Sequence, residues 1–495
     1  MRTLSERWIP LAGLAVLLIT AWLSTGFQSA DEHYQVIAFA EARAGHQPLA
    51  SLPWEYEAQI RSALLPSVAM AVFGALRGLG IHDPFVLAFF LRLITALLAF
   101  AAVLRFVKAT RSMIAPGFQR WYLLLSFFLW FLPFLHVRFT GETWSGIFLM
   151  LALAPWFGET TQRSSFLRSG LFLGLAFLCR PPILAAATGI VAWAALVKHT
   201  GVRSLFALAT AFASVLLAGI ALDSWFYGQF TITAWSYFKL GIAGSPDHDF
   251  AAFPWWYYYA WVLKYAVPMI GAAILVAFGL LCANKPRHLI TWTIVPFLVL
   301  HMAVPHKELR FLFPLADQAP IMLVLGAQIL KERRAARWQH LVRGQLLAVV
   351  TSLLAATNLI ALFTACTTPA GTGIARLARC AYKLPDHPEV RINYLSNQVD
   401  AWRIRVPAFY LPPNASDTVV GSPCPPAAPA RGKASLLVAQ GPLPPCTDGT
   451  GQHWTPVESA QPPWKEWLLH VYDMEDAKPA WKMYEARASL PAPAK

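Results

Sequence analysis

Apolar runs of membrane-spanning length recur between residues 8 and 365, and short loops carrying Lys and Arg separate them. About 20 predominantly apolar residues are what one α-helix needs to cross a bilayer. Their repetition along one chain points to a polytopic membrane protein and excludes a soluble multi-domain one. Composition agrees, because 57% of the 495 residues are apolar and only 13% are charged, where soluble domains carry about 25%. The net charge of +14 raises the question of a nucleic-acid partner. Its location answers it. Residues 366–495 are nearly balanced, with 13 basic and 11 acidic side chains, whereas the preceding part holds 27 and 15, concentrated between the apolar runs. That is the positive-inside pattern, and anionic lipid headgroups account for it without nucleic acid.

The first apolar segment, 8–27, follows Arg2 and Arg7, which places the amino terminus in the cytoplasm. A cleaved signal peptide fits less well, since Gln28 would occupy a position that calls for a small residue. Residues 28–83 read as a long first external loop with one or two interfacial helices. Further spans are expected at 84–107, 121–137, 142–158, 204–222, 258–282, 289–305, 311–330 and 344–365. The run 169–197 is read as two short crossings broken at Arg180-Pro181-Pro182, where two prolines remove backbone donors. The alternative is a single Pro-kinked helix, which would invert every later loop. With two crossings there, the fold expected is all-α, with about 11 transmembrane helices and basic loops inside.

Residues 1–365 thus form the transmembrane part, and residues 366–495 form a small mixed module outside the membrane. The 13 prolines between 407 and 464 favour turns and edge strands there. A strand is expected at Ser435–Ala439, a short helix at Trp464–Tyr472, and a disordered tail at the Pro-Ala-Pro-Ala-Lys ending. Cys366, Cys380, Cys424 and Cys446 fall in this module, and an even number in an oxidising compartment points to disulfides. Three pairings are open, of which Cys366–Cys380 with Cys424–Cys446 closes the shortest loops. No Cys or His spacing matches a metal site, and no repeat of transporter type is visible.

Ionisable residues beside membrane segments are costly and are functional candidates by default. One cluster is Asp31-Glu32-His33-Tyr34-Gln35 with Glu41, Trp54-Glu55-Tyr56 and Arg61-Ser62; a surface carboxylate there could accept a hydroxyl proton, and a solvated loop is the plain reading. Another is His306-Lys307-Glu308-Leu309-Arg310-Phe311, whose cations suit a phosphate. Crossing parity puts this basic cluster outside, against the positive-inside rule, so it calls for an anionic partner. A third group joins Arg138, Glu142, Arg180, Asp223 and Tyr227-Gly228. The aromatic run Phe253–Tyr259 reads as an interfacial belt or as a platform for a sugar or lipid. No Walker loop, nucleophile elbow or dinucleotide fingerprint is present.

Taken in order, Asp31-Glu32-x-x-Gln35, Trp54-Glu55-Tyr56, Arg61-Ser62, Arg180-Pro181, Asp223-Ser224-x-x-Tyr227-Gly228 and His306-Lys307-Glu308-x-Arg310-Phe311-x-Phe313-Pro314 resemble glycosyltransferase family 22 over residues 8–330. That family includes the lipid-carrier-dependent mannosyltransferases of GPI-anchor and asparagine-linked glycan assembly. The resemblance implies a GT-C membrane fold with its site between the first external loop and the membrane bundle. It implies a donor sugar, mannose, on polyprenyl or dolichyl phosphate, an external glycan or glycolipid acceptor, and no further cofactor or metal. Asp31 maps onto the catalytic base and Glu32 onto its neighbour; His306, Lys307, Arg310 and Arg180 map onto the residues holding the carrier phosphate. Gln35, Trp54, Glu55, Arg61, Asp223 and Tyr227 are the candidate acceptor or sugar contacts. Ser29-Ala30 stand where the family often has His-Pro, and Thr140-Gly141-Glu142 where an Asn-containing stretch is usual, which leaves the acceptor open. A GT-C transferase for another sugar and a lipid-linked sugar flippase are the competing readings. The site would face the periplasm or an organelle lumen, with the inner membrane as the location in a bacterium.

Overall fold

The computed structural model describes residues 4–158, 163–243, 251–337, 344–382, 389–395, 405–421, 433–440, 443, 452–471 and 480–488. Two compact units emerge. One comprises Met1–Ala21, Tyr34–Ala75 and Phe90–Cys366; the other comprises Trp22–His33, Leu76–Phe89 and Thr367–Lys495.

The first unit is built from helices. Helix Val202–Tyr227 packs along Arg163–Cys179, which packs on Gly141–Leu153; Leu184–Leu196 lies against Leu289–Ala303, and Pro268–Asn284 against Ala319–Arg337. Small residues allow two of these contacts. A Cβ at Gly170 would run into the Leu208 carbonyl oxygen, and one at Gly189 into that of Trp292. Apolar helices in a bilayer gain no hydrophobic drive from each other, so such close backbone approach supplies their packing. Gly189→Leu should therefore lower stability by about 1–3 kcal/mol or more through overpacking; thermal unfolding of the detergent-solubilised protein measures it, and an unshifted midpoint would contradict the packing described.

By length and composition, Pro84–Met113, Val202–Tyr227 and Ala348–Thr367 can each cross a membrane, and two bent pairs raise the number to five among the described residues. Several expected spans are interrupted instead of straight. Helix Arg163–Cys179 stops, Arg180 is extended with φ −151° and ψ 99°, a 3-10 turn covers Pro181–Ile183, and Leu184 starts the next helix. The break lies where the prolines place it, because Pro181 pushes the residue before it out of the helical region and itself lacks an N–H. The expected span 258–282 divides into Tyr257–Tyr265 and Pro268–Asn284, with Val267 at φ 65°. The expected span 311–330 divides at Asp317-Gln318 with a bend of 69°. Lys331, Arg333, Arg334 and Arg337 belong to the last turns of helix Ala319–Arg337, not to a loop; Lys, Glu, Arg and Ala are good helix formers and carry the helix on.

The second unit holds a five-stranded sheet, β1 (Glu389–Leu395), β2 (Ala415–Val420), β3 (Lys433–Gln440), β4 (Gln452–Ser459) and β5 (Trp481–Ala488), in the order β2-β1-β3-β5-β4. β1 runs parallel to β2 and β3, and β5 is antiparallel to β3 and β4. Val390, Ile392 and Tyr394 alternate along β1 and join Leu436, Val438 and Met483 in a core covered by Ile374, Leu377, Tyr410 and Phe85. β3 contains the expected strand and has no proline. Pro456 sits in edge strand β4 where the register shifts, a place that tolerates a missing donor. Helix Pro463–Val471 matches the expected short helix, with Tyr472 outside the described residues. Cys366 carries a buried free thiol, so the Cys366–Cys380 bridge is not formed. That pair closes one of the shortest loops among the pairings left open by the sequence, but helix Gly344–Thr367 carries Cys366 in the first unit while Cys380 lies in the second. Cys424, Cys446 and the Pro-Ala-Pro-Ala-Lys ending lie outside the described residues.

Candidate active site

The loop between helices Leu289–Ala303 and Phe313–Ala316 carries the His306–Phe311 motif. It is pinned from two sides. Phe253 donates its N–H to the Pro305 carbonyl at 3.0 Å, and Ala252 bridges to His306 as a short antiparallel pair. This brings the aromatic run beside the motif: Phe253 stacks on Tyr257 at 4.6 Å, Tyr258 is buried, and Trp255 and Trp256 are exposed. Lys307 is only 2% exposed. Its ammonium donates to the carbonyls of His301 at 3.4 Å, Met302 at 3.1 Å and Val304, and lies 5.7 Å from the Tyr258 ring centre. A cation on the last carbonyls of a helix complements their partial negative charge. Burial holds the Lys307 amine below its ordinary value.

Beyond Lys307 the loop turns its charges toward one another. Glu308 accepts from Arg310 Nε at 2.5 Å and Nη2 at 2.9 Å, and its Oε1 is 3.2 Å from His306 Nε2. Burial alone would raise the Glu308 carboxyl, but the hydrogen bonds and charges of His306 and Arg310 outweigh it and hold the group well below the carboxylate range. Glu142, on the first turn of helix Gly141–Leu153, adds a second carboxylate. Its Oε1 is 3.4 Å from Arg180 Nη1 and 3.9 Å from Arg310 Nη1. Both guanidinium groups also lie over the Phe311 ring, at 4.7 and 5.7 Å. Two arginines from distant segments thus converge on one carboxylate oxygen and one ring. Arg180 owes its position to the proline break: with the helix ended at Cys179, the extended Arg180 backbone turns out of the ladder.

The other candidates form two further groups in the first unit. Gln35 donates to Glu55 at 2.9 Å. Asp223, 2% exposed, accepts from the Ala63 N–H at 2.7 Å, Thr233 Oγ1 at 2.6 Å and Ser62 Oγ at 3.1 Å, while the Tyr227 hydroxyl donates to the Arg61 carbonyl at 2.7 Å. With Phe39, Tyr56 and Phe226 packed around them, Asp223 and Tyr227 fasten residues 61–63 to the end of helix Val202–Tyr227. Trp54 stands half-buried in the same stretch, in the turn whose Ala58 N–H bonds to its carbonyl.

Asp31 and Glu32 belong to the second unit. A short helical turn, Ala30–Glu32, leads into a π-helical turn, His33–Ile37, a local irregularity frequent at functional sites. Asp31 is half-buried. Glu32 is buried, and its carboxylate reaches back to the Gln28 N–H at 2.8 Å, tying the turn's entry.

The family resemblance had put Arg180 and Arg310 in one phosphate-binding set and gave Glu142, Glu308 and Phe311 no place in it. The signal for Glu142 was an acid beside a membrane segment, grouped with Arg180 on one expected side of the membrane. Among the described residues no group of three or more His, Cys, Asp or Glu is arranged to hold a metal ion.

Comparison with known proteins gives this geometry a context. The model of the Alg9-like mannosyltransferase family matches residues 8–389. The GPI alpha-1,2-mannosyltransferase 3 of Bos taurus is 23% identical over 57% of this chain and 52% of its own length. The GPI mannosyltransferase 3 of Yarrowia lipolytica is 26% identical over 63% of this chain and 60% of its own. The chain therefore spans about half to three fifths of the length of these relatives. In fold, it is similar to ArnT from Cupriavidus metallidurans bound to undecaprenyl phosphate, with a TM-score of 0.57 at 11% identity over 100% of both chains. That likeness shows the fold, the GT-C architecture of a membrane glycosyltransferase.

Proposed function

This chain belongs to the Alg9-like mannosyltransferase family, and from that premise we propose that it is an inverting membrane mannosyltransferase moving mannose from a polyprenyl-phosphate carrier to a hydroxyl of an external glycan or glycolipid. The observation that carries this reading is the convergence of Arg180 and Arg310 on Glu142 and Phe311. A transferase that expels a lipid phosphate must stabilise the charge this group gains as the glycosidic bond breaks. Cations already fixed by carboxylates and an aromatic face cost no reorganisation at that moment. Undecaprenyl phosphate in the ArnT structure is a ligand of the same chemistry.

In the proposed reaction an acceptor hydroxyl attacks the anomeric carbon and Asp31 takes its proton. The bond to the phosphate oxygen breaks, and the pair of electrons leaves on polyprenyl phosphate toward Arg310, His306 and Arg180. A β-linked carrier mannose yields an α-mannoside. Gln35, Trp54, Glu55 and Arg61 serve the acceptor or the sugar, with Asp223 and Tyr227 acting through the stretch they fasten. Lys307 holds the motif on its helix end. The parity of the spans expected from the sequence is the support for assigning this chemistry to the extracytoplasmic face.

Donor titration with mannosyl polyprenyl phosphate in nanodiscs tests the phosphate assignment. Arg310→Ala should lose a charge-assisted contact of about 1.5–3 kcal/mol and raise the apparent donor KM by about 10- to 100-fold. Lys307→Met should instead lower thermal stability and move the donor KM little. An unchanged titration for Arg310→Ala contradicts the reading, and a Lys307→Met variant that loses donor affinity at full stability returns Lys307 to the phosphate.

A further inference from the structure

The family model ends at residue 389, yet two of the aromatic side chains packed beside the turn that carries Asp31, Phe409 and Tyr410, come from beyond it. Ahead of Asp31, the Ala370 N–H donates to the Thr25 carbonyl at 2.9 Å and the Gly371 N–H to Gln28 Oε1 at 3.3 Å. After it, the His33 ring lies 5.9 Å from Phe409, 5.7 Å from Tyr410 and 5.5 Å from Phe27. His33 is 1% exposed, and burial pushes its imidazole down to about 3, so the ring is neutral and packs as an aromatic. The two aromatics beyond the family match are themselves anchored. The Val406 N–H donates to the Tyr394 hydroxyl at 2.9 Å, Tyr410 lies 5.2 Å from Phe85, and Tyr410 is in the same core as β1.

We propose that Phe409 and Tyr410 are positioning residues for Asp31: by packing on His33, two residues along the same turn, they set where the Asp31 carboxylate points. The proposal rests on Asp31 being the base. A base works only when its oxygen meets the acceptor proton in line, and a displacement of about 1 Å can cost about 10²-fold in rate. Removing a ring beside His33 lets the turn shift without touching any group that contacts substrate.

The test uses full-length protein in nanodiscs, with mannosyl polyprenyl phosphate and the acceptor mixture that supports wild-type transfer. Tyr410→Leu and Phe409→Leu should each lower kcat by about tenfold, part of the range misplacement spans, with donor KM unchanged; Tyr410→Phe, which keeps the ring, should restore kcat. Combining either Leu variant with Asp31→Asn should be no slower than Asp31→Asn alone. Wild-type kcat in both Leu variants, or losses that multiply in the combined variants, would overturn the proposal. Phe409 is half-buried at the rim of the core, so Phe409→Leu decides the matter if Tyr410→Leu does not fold. The two levels separate cleanly: a slow Asp31→Asn with unimpaired Leu variants sinks the positioning role alone, whereas an Asp31→Asn at wild-type rate sinks the base itself.

Discussion

Asp31→Asn, purified in nanodiscs and assayed at saturating donor and acceptor, is expected to turn over about 10²-fold or more slowly than wild type, the scale of help from a positioned acid or base. The amide is nearly the same size and keeps a hydrogen-bonding oxygen, but it cannot take the acceptor proton. Donor KM should change little, since the carrier phosphate is assigned to Arg310, His306 and Arg180. Protein yield and thermal midpoint should also stay close to wild type. Glu32→Gln makes a useful contrast, because its carboxylate is occupied by the Gln28 N–H and its loss should act on the turn's stability before the chemistry. Near-normal transfer by Asp31→Asn removes it as the base. A flippase for lipid-linked sugars would tolerate the substitution and move label without forming a glycosidic bond.

The second large effect concerns stability. Glu142 is buried, and two guanidinium groups depend on it, one of them on the 5% exposed Arg180. Glu142→Ala removes a buried carboxylate from beside a buried cation, and breaking such a pair costs about 3–5 kcal/mol. Glu308→Ala should cost less, since the Glu308 side chain is 36% exposed and water can solvate the Arg310 that it leaves. Unfolding midpoints of the two variants in the same detergent provide the comparison. Equal midpoints for Glu142→Ala and wild type would show that Arg180 and Arg310 are held by other groups. Replacing Arg180 and Glu142 together by Met and Leu should recover much of the stability and none of the donor affinity, because an apolar pair satisfies the core and leaves the phosphate with one guanidinium fewer.

Much of this arrangement was legible along the chain, and the side-chain partners that were not share a cause. The break at Arg180 was readable because proline acts on its own backbone and on the residue before it, both local effects. The helix after Pro463 was readable for the same reason, and the strand at Ser435–Ala439 because its short apolar run is free of proline. The interruption at Val267 went unread although Pro268 lies inside the expected span 258–282 and restricts the residue before it in the same local way. Lys307 looked like a phosphate ligand from its charge and its place in the motif. Its three carbonyl partners belong to the end of the preceding helix, and only the path of the loop brings them under the ammonium.

What the residue order determined by itself is therefore whatever depends on neighbours in the chain: apolar length, the proline stop, the basic bias of the loops, and the family motifs in their order. Tertiary structure alone decided the partners. Glu142 meets Arg180 and Arg310, Asp223 meets residues 62 and 63, and His33 meets Phe409 and Tyr410, each across a long stretch of intervening chain. A buried charge or ring must be satisfied by something, and the sequence states that need. Which distant group answers it depends on where packed helices and strands carry each side chain, which is a property of the folded chain as a whole.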